Sequence, residues 1–246
     1  MHLDVSLAPA LARTDDGAVL IVIDQIRAST TLTTLLDAGC PDVLLAGNVT
    51  AARRLAREAD ALLAGEWRAR KPAGFDFDNS PSEIARADVR GRPVVLTTTN
   101  GTAVLERVRG ERHVLVGCLR NAGACAAAAL ALAEREDAGI RIVCAGRHGR
   151  FVLEDAVAAG EIAKRILEGA AAQGTAVVLT DPAVASIRLR DAEPDPIAAM
   201  TSSDGGRTLH EIDQAEDIAY VAAVDATATV PALVAGPPMR VVRWEG

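Results

Sequence analysis

Short apolar runs, each closed by a polar turn and followed by a helical period, recur along this chain. Val19 to Asp24 (VLIVID) is the first. Arg27 and a hydroxyl cluster of Ser29, Thr30, Thr31, Thr33 and Thr34 follow, then Leu35, Leu36 and a stop at Ala38-Gly39. The pattern predicts strand, polar turn, helix. Asp42 to Ala46 predicts the next strand and Thr50 to Ala61 a helix with a Thr N-cap and apolar spacing at Ala51, Leu55 and Ala59. Leu62 to Ala64 predicts a strand ending at Gly65-Glu66. Trp67 to Pro81 (WRARKPAGFDFDNSP) has no period and is dense in charge, Gly and Pro, and so reads as a loop with a task. Ser82 to Ala87 reads as a helical turn.

Val94 to Leu96 restarts the plan, with Thr97-Thr98-Thr99, Asn100-Gly101-Thr102 and a helix through Val104, Leu105 and Val108. Val114 to Gly117 predicts a strand and Ala122 to Ala133 an Ala-rich helix. The plan recurs at Ile140 to Gly160: a strand of Ile140, Ile142 and Val143, a turn holding Gly146, Arg147, His148, Gly149 and Arg150, and a helix opening on Glu154-Asp155 and running through Ile162, Ile166 and Leu167. Beyond Asp181, Pro194 and Pro196 break the helical fragments. Ser202 to Gly206 reads as a turn, Thr208 to Ala223 as a helix, and Val230 to Val234 and Met239 to Arg243 as strands. No linker or low-complexity break divides the chain. The expectation is one compact domain over 1–246, a layered α/β/α fold with a mixed or largely parallel sheet.

Composition narrows the function. Half of the 246 residues are apolar and aromatics are nearly absent, so a sizeable aliphatic core can be buried. The net charge of -7 argues against a nucleic-acid partner, which needs a basic face. It also repels a phosphorylated substrate at long range, so any anion site must be made locally from Arg and backbone N–H groups. The first residues, MHLDVSLAPA, lack a basic stretch leading into an apolar one, so no signal peptide is visible. The Ala122 to Ala133 run is too short for a bilayer. Cys40, Cys118, Cys125 and Cys144 show no CxxC spacing, which reads as reduced thiols in the cytoplasm.

Cationic side chains and free N–H groups at a helix start favour an anion. The Glu154-Asp155 pair one turn later offers the hard oxygens a divalent cation takes. In α/β sheets ligands bind beyond the carboxyl ends of strands. The turns at Asp24 to Thr31, Thr97 to Thr102 and Gly146 to Arg150 are therefore expected to meet at one crevice. The bland account is that Thr and Asn merely cap helices, that Asp24 and Arg27 form a local ion pair, that His148 is a solvated turn residue and that Arg188 and Arg190 belong to a solvated face. Glu66, Asp76, Asp78 and Asn79 add oxygen donors. There is no GxxxxGK[ST] loop and no GxGxxG after a strand. Asp24-Gln25-Ile26 lacks the second Asp of a DxD phosphatase motif. Cys144 and Arg150 do form C-x5-R before a helix, the layout of a cysteine phosphatase with a thiolate nucleophile, although Val143 and Arg147 stand where His and Gly are typical.

Together the segments IDQIRASTT (Ile23 to Thr31), LLAGE (Leu62 to Glu66), GFDFDNSP (Gly74 to Pro81), LTTTNGT (Leu96 to Thr102), VCAGRHGRFVLEDAVAAG (Val143 to Gly160) and the Ser203-x-Gly205 to Pro231 tail resemble the ComB family, the 2-phosphosulfolactate phosphatases. They span nearly the whole chain in order. The first departs from the usual pattern, with Gln25-Ile26 in place of Val-Leu, and the loop between Glu66 and Gly74 is individual to this chain. The resemblance implies a Mg2+-dependent phosphomonoester hydrolase releasing phosphate from 2-phospho-3-sulfolactate on the route to coenzyme M, or acting on a related 2-hydroxy-acid phosphate. Asp24, Glu66, Glu154 and Asp155 would be metal ligands or catalytic acids, with Asp24 either a metal ligand or the nucleophile that attacks phosphorus. Arg27 would act on the phosphoryl group, with Ser29, Thr30, Thr31, Asn79, the Thr98, Thr99, Asn100, Gly101 turn and Arg150 binding the phosphate and the other anionic groups. It further implies a small anionic substrate, no nucleic acid, no membrane and a homodimer. The alternatives are the Cys144/Arg150 enzyme and a phospho-ligand sensor without turnover.

Overall fold

The computed structural model describes residues 1–11 and 17–246. Strand β1 (His2–Ser6) leads to β2 (Val19–Ile23), whose five residues are all buried, as a central parallel strand requires. Helix α1 (Ala28–Asp37), β3 (Val43–Leu45), α2 (Val49–Ala59), β4 (Leu62–Gly65) and the short α3 (Pro81–Ile84) follow. Next come β5 (Val94–Thr97), α4 (Gly101–Arg107), β6 (Val114–Val116), α5 (Ala122–Glu136), β7 (Ile140–Cys144) and the long α6 (Leu153–Ala172). The chain then runs through β8 (Val178–Leu179), α7 (Asp181–Ala192), α8 (Pro196–Ser202), α9 (Asp204–Glu211), α10 (Glu216–Val221), β9 (Pro231–Val234) and β10 (Arg240–Arg243). Among the described residues no helix is long and apolar enough to cross a membrane.

The strands make one mixed sheet in the order β4-β5-β3-β10-β9-β6-β2-β7-β1-β8. Pairing is parallel except around β9 and β10, which run antiparallel to each other and to β6 and β3. Alternation along each strand divides the core. Val19, Ile21 and Ile23 pack with α5 and α6 on one face. Leu20 and Val22 point the other way, into a cluster with Leu32 and Leu35 of α1. Val94 and Leu96 of β5 join that same cluster, although β3, β10, β9 and β6 lie between β5 and β2 in the sheet. Helix α1 thus covers the face of the sheet that runs from β5 to β2. Val95 faces away, towards α2.

Several local expectations are corrected. The N-cap of α2 is Asn48, whose side chain accepts from Ala51 N–H at 2.9 Å, and not Thr50. The Ser202 to Gly206 stretch is a junction in which Ser203 caps α9, accepting from Gly206 N–H at 3.1 Å. The helix expected over Thr208 to Ala223 is broken. Asp213 takes a left-handed backbone (φ 58) and Gln214 N–H closes on Leu209 O at 2.8 Å. Strands β1 and β8 add to the expected set, and the alternation His2-Leu3-Asp4-Val5-Ser6 is the short signal of β1. Leu3 and Val5 of β1 are buried only because the strand pairs in parallel with β7, Leu3 opposite Ile140.

Leu35 is fully buried in that α1 cluster. Leu35→Ala is expected to lower the unfolding free energy by about 2–5 kcal/mol, read by denaturant titration.

Candidate active site

The turns after β2, β5 and β7 open onto one cleft of about 350 Å³. Asp24, Arg27, Glu66, Asn79, Thr98, Thr99, Asn100, Glu154 and Asp155 line it, together with Arg68, Arg147 and His148. Four of these side chains are carboxylates, and all four are at least nine-tenths buried.

Each carboxylate is held by a different part of the backbone. Asp24 Oδ1 accepts from Ala28 N–H at 3.2 Å in the first turn of α1. Its Oδ2 faces Gly101, where a Cβ would sit 2.8 Å from that oxygen and 2.4 Å from Ala28 Cβ. Gly101 therefore makes room for Asp24 and does not itself line the cleft. Asp155 spans two turns, its Oδ1 accepting from Gln25 N–H and its Oδ2 from Gly146 N–H, each at 2.8 Å. Glu66 does the same on the other side, accepting from Thr99 N–H at 2.6 Å and from Ala69 N–H at 2.7 Å, and from the Thr99 hydroxyl at 3.0 Å. Glu154 Oε1 accepts from Gly205 N–H at 3.0 Å, an approach a side chain at 205 would block, since its Cβ would fall 2.4 Å from that oxygen. Glu154 Oε2 is buried with no hydrogen-bond partner.

Crowding sets the protonation. Burial, and then repulsion from Glu66 and Glu154, push the Asp24 carboxyl up to about 7 against the pull of Ala28 N–H and Arg27. Burial and the neighbouring charges of Asp24 and Glu154 hold Asp155 well above the carboxylate range. Burial raises Glu154 as well. Such a set asks for a cation. Among the described residues no group of three or more His, Cys, Asp or Glu could hold a metal on its own. Mg2+ does not require one, because it keeps waters and is bound through one or two carboxylates plus substrate phosphate. The mutually repelling hard-oxygen donors of Asp24 and Asp155 fit that cation.

Arg27 is fixed from behind. Its Nη1 donates to Asp217 Oδ2 at 2.9 Å and to Gln214 Oε1, and its Nη2 lies 3.7 Å from Asp78 Oδ1. Asp217 is fully buried and also accepts from the Ser80 hydroxyl at 2.8 Å and Ser82 N–H at 3.1 Å, while Gln214 donates to Asp78 at 2.6 Å. The break between α9 and α10 is what turns Gln214 and Asp217 towards Arg27. Neither is signalled by sequence, where both fall inside an expected continuous helix.

Other expected binders lie elsewhere. Ser29 accepts from Asp24 N–H at 2.8 Å, Thr30 donates to Gln25 O at 2.9 Å and Thr31 donates to Asn79 O at 3.5 Å; none lines the cleft. Thr98 reaches the cleft while accepting from Thr102 N–H at 3.1 Å. Asn79 lines it with a buried, unpartnered Oδ1. Arg150 is exposed and faces a neighbouring groove with Phe151. Cys144 is fully buried among α5 and α6 residues, outside the cleft. Burial and Asp155 push its thiol well above the usual value, the reverse of an activated nucleophile. Arg68 lies in the aperiodic loop, on a turn between Trp67 and Arg70 that no sequence pattern marks.

Comparison with known proteins agrees with the resemblance. Residues 6–236 match the family described as 2-phosphosulpholactate phosphatase. A protein of Deinococcus radiodurans named "Probable 2-phosphosulfolactate phosphatase" is 41% identical over 96% of this chain and 95% of its own length. Proteins of the same name from Thermus thermophilus and Clostridium acetobutylicum are 36% and 30% identical, covering 95% and 86% of this chain and 94% and 87% of their own.

Two predictions follow from the charges. Asp24 binds its proton up to about pH 7 in the fold but only to about 3.8 when free, so across that window the folded state carries the extra proton. Stability of the cation-free protein is therefore expected to fall as pH rises from about 4 to about 7, and Asp24→Asn to flatten that slope in melting curves. Asp217→Ala strands the Arg27 charge and two donors, and is expected to cost about 3–5 kcal/mol in denaturant titration.

Proposed function

The chain belongs to the 2-phosphosulpholactate phosphatase family, and we propose that it is a Mg2+-dependent phosphomonoester hydrolase acting on 2-phospho-3-sulfolactate or a related 2-hydroxy-acid phosphate. The observation that carries this reading is the crowding of Asp24, Glu154 and Asp155 on the cleft floor. It leaves a repulsion that a divalent cation relieves. The names of the relatives supply the substrate.

Asp24 and Asp155 would hold Mg2+. Bound there, the cation supplies positive charge against the phosphate oxygens, which is the main catalytic demand of phosphoryl transfer. Arg27, immobilised by Asp217 and Gln214, presents its guanidinium to the same oxygens without having to be ordered during the reaction. In the hydrolysis water adds to phosphorus, the ester P–O bond breaks, and one proton of that water must end on the 2-oxygen of the released acid. Glu154 is the group assigned to hold it. Its carboxyl is raised by burial and its Oε2 has no partner within the protein.

Phosphate release from 2-phospho-3-sulfolactate is expected to require Mg2+ and to stop in EDTA. Asp24→Asn is expected to abolish it together with the Mg2+-induced rise in melting temperature, while Cys144→Ser retains both. EDTA-resistant turnover lost in Cys144→Ser would overturn the reading. Glu154→Gln is expected to lower kcat by about 10²–10⁴-fold on the alkyl phosphate, and far less on p-nitrophenyl phosphate, whose leaving group needs no proton.

A further inference from the structure

The proposed chemistry uses the floor of the cleft and leaves its rim without a task. Two rim turns share one design. After β4, Trp67 N–H donates to Arg70 O at 2.9 Å and Arg70 N–H returns the bond to Trp67 O at 3.3 Å. The central residues, Arg68 and Ala69, sit at φ 54 and 60. After β7, Arg147 and Arg150 exchange bonds of 3.0 Å each way around His148 and Gly149, at φ 52 and 77. A two-residue loop with both central φ positive normally takes Asn-Gly. Arg68, Ala69 and His148 accept this backbone at a conformational cost that glycine avoids. The intervening Thr98–Asn100 turn braces both. Glu66 joins Ala69 N–H to Thr99 N–H, and Asn100 Oδ1 accepts from His148 N–H at 3.3 Å.

The three arginines of the cleft differ in how their charges are met. Arg27 is answered by Asp217 and Asp78. Arg147 Nη1 donates only to uncharged oxygens, the Thr208 hydroxyl at 2.5 Å and Asp204 O at 3.4 Å. Among the described residues neither Arg68 nor Arg147 forms an ion pair, although four carboxylates line the same cleft. The floor thus has charge for a cation and a phosphate, and the rim has two guanidinium groups with no anion of their own. A guanidinium fork matches a carboxylate or sulfonate in two parallel hydrogen bonds.

We propose that Arg68 and Arg147, carried on the matched turns, bind the acid groups of the substrate other than its phosphate and select esters bearing two such groups. This rests on the phosphomonoesterase reading and adds the residues that set its specificity. It also gives the acidic chain, at net charge -7, a local means of attracting a multiply charged anion.

The test is a comparison of kcat/KM with Mg2+ for 2-phospho-3-sulfolactate, 2-phospholactate and isopropyl phosphate, which carry two, one and no further acid groups. Wild type is expected to lose about tenfold or more for each group removed. Arg68→Gln and Arg147→Gln, checked for folding by melting temperature, are each expected to lose about tenfold or more on the first ester, mainly through KM, and distinctly less on the last, with Arg→Lys intermediate. An equal loss on all three esters, or none on the first, overturns the proposal. Should wild type hydrolyse no ester, the phosphatase reading fails, and calorimetry with free 3-sulfolactate decides the rim by itself. Binding weakened in both Gln variants upholds the proposal, and binding unchanged in either overturns it.

Discussion

Four buried carboxylates share one cleft, and the backbone around them is arranged so that they can stay there. Burial and mutual repulsion push Asp24 and Asp155 towards their protonated forms. Main-chain N–H groups oppose this at every one: Ala28 for Asp24, Gln25 and Gly146 for Asp155, Thr99 and Ala69 for Glu66, Gly205 for Glu154. These bonds do two things at once. They supply partial positive charge to each carboxylate, and they lock the turns to each other. Asp155 and Glu66 have become clamps between loops, and the freer oxygens belong to Asp24 and Glu154.

The same economy governs the buried cation of the cleft, Arg27. Arg27 would be costly in this interior without a partner. Asp217 and Gln214 meet it from 190 and 187 residues further along the chain, and Asp78 from the loop between β4 and α3. The irregular path through Asp213 exists in the service of that contact. A continuous helix would have carried Gln214 and Asp217 round a regular surface. A broken one places both against the guanidinium.

What sequence made legible follows from how local each signal is. The strand-turn-helix units around Asp24, Thr98 and Gly146 announce themselves by a change of period within a few residues, and the structure brings those turns to one cleft. The α/β class follows from the same alternation. Long-range devices were invisible. Ser29, Thr30 and Thr31 look like ligand hydroxyls, yet they satisfy nearby backbone groups, a choice that depends on where the helix sits. Asp217 looks like one acid among many until its depth is known. Arg68 lies in a loop whose turn becomes readable only with its backbone angles. Leu3 and Val5 needed β7 beside them to make a strand.

The order of strands has a consequence for the life of the polypeptide. Strands β9 and β10 follow every other strand in sequence, yet they sit in the middle of the sheet and join β6 to β3. Glu66 and Thr98 come from one side of that joint, Asp24 and Asp155 from the other. During synthesis the earlier strands can form two separate half-sheets, since domains build from the N-terminus as the chain emerges. The halves cannot be sewn together until the last strands arrive. The nascent chain therefore keeps Glu66 and Thr98 apart from Asp24 and Asp155 until the last strands arrive, and a ribosome that stalls early releases a product whose cleft lacks one wall.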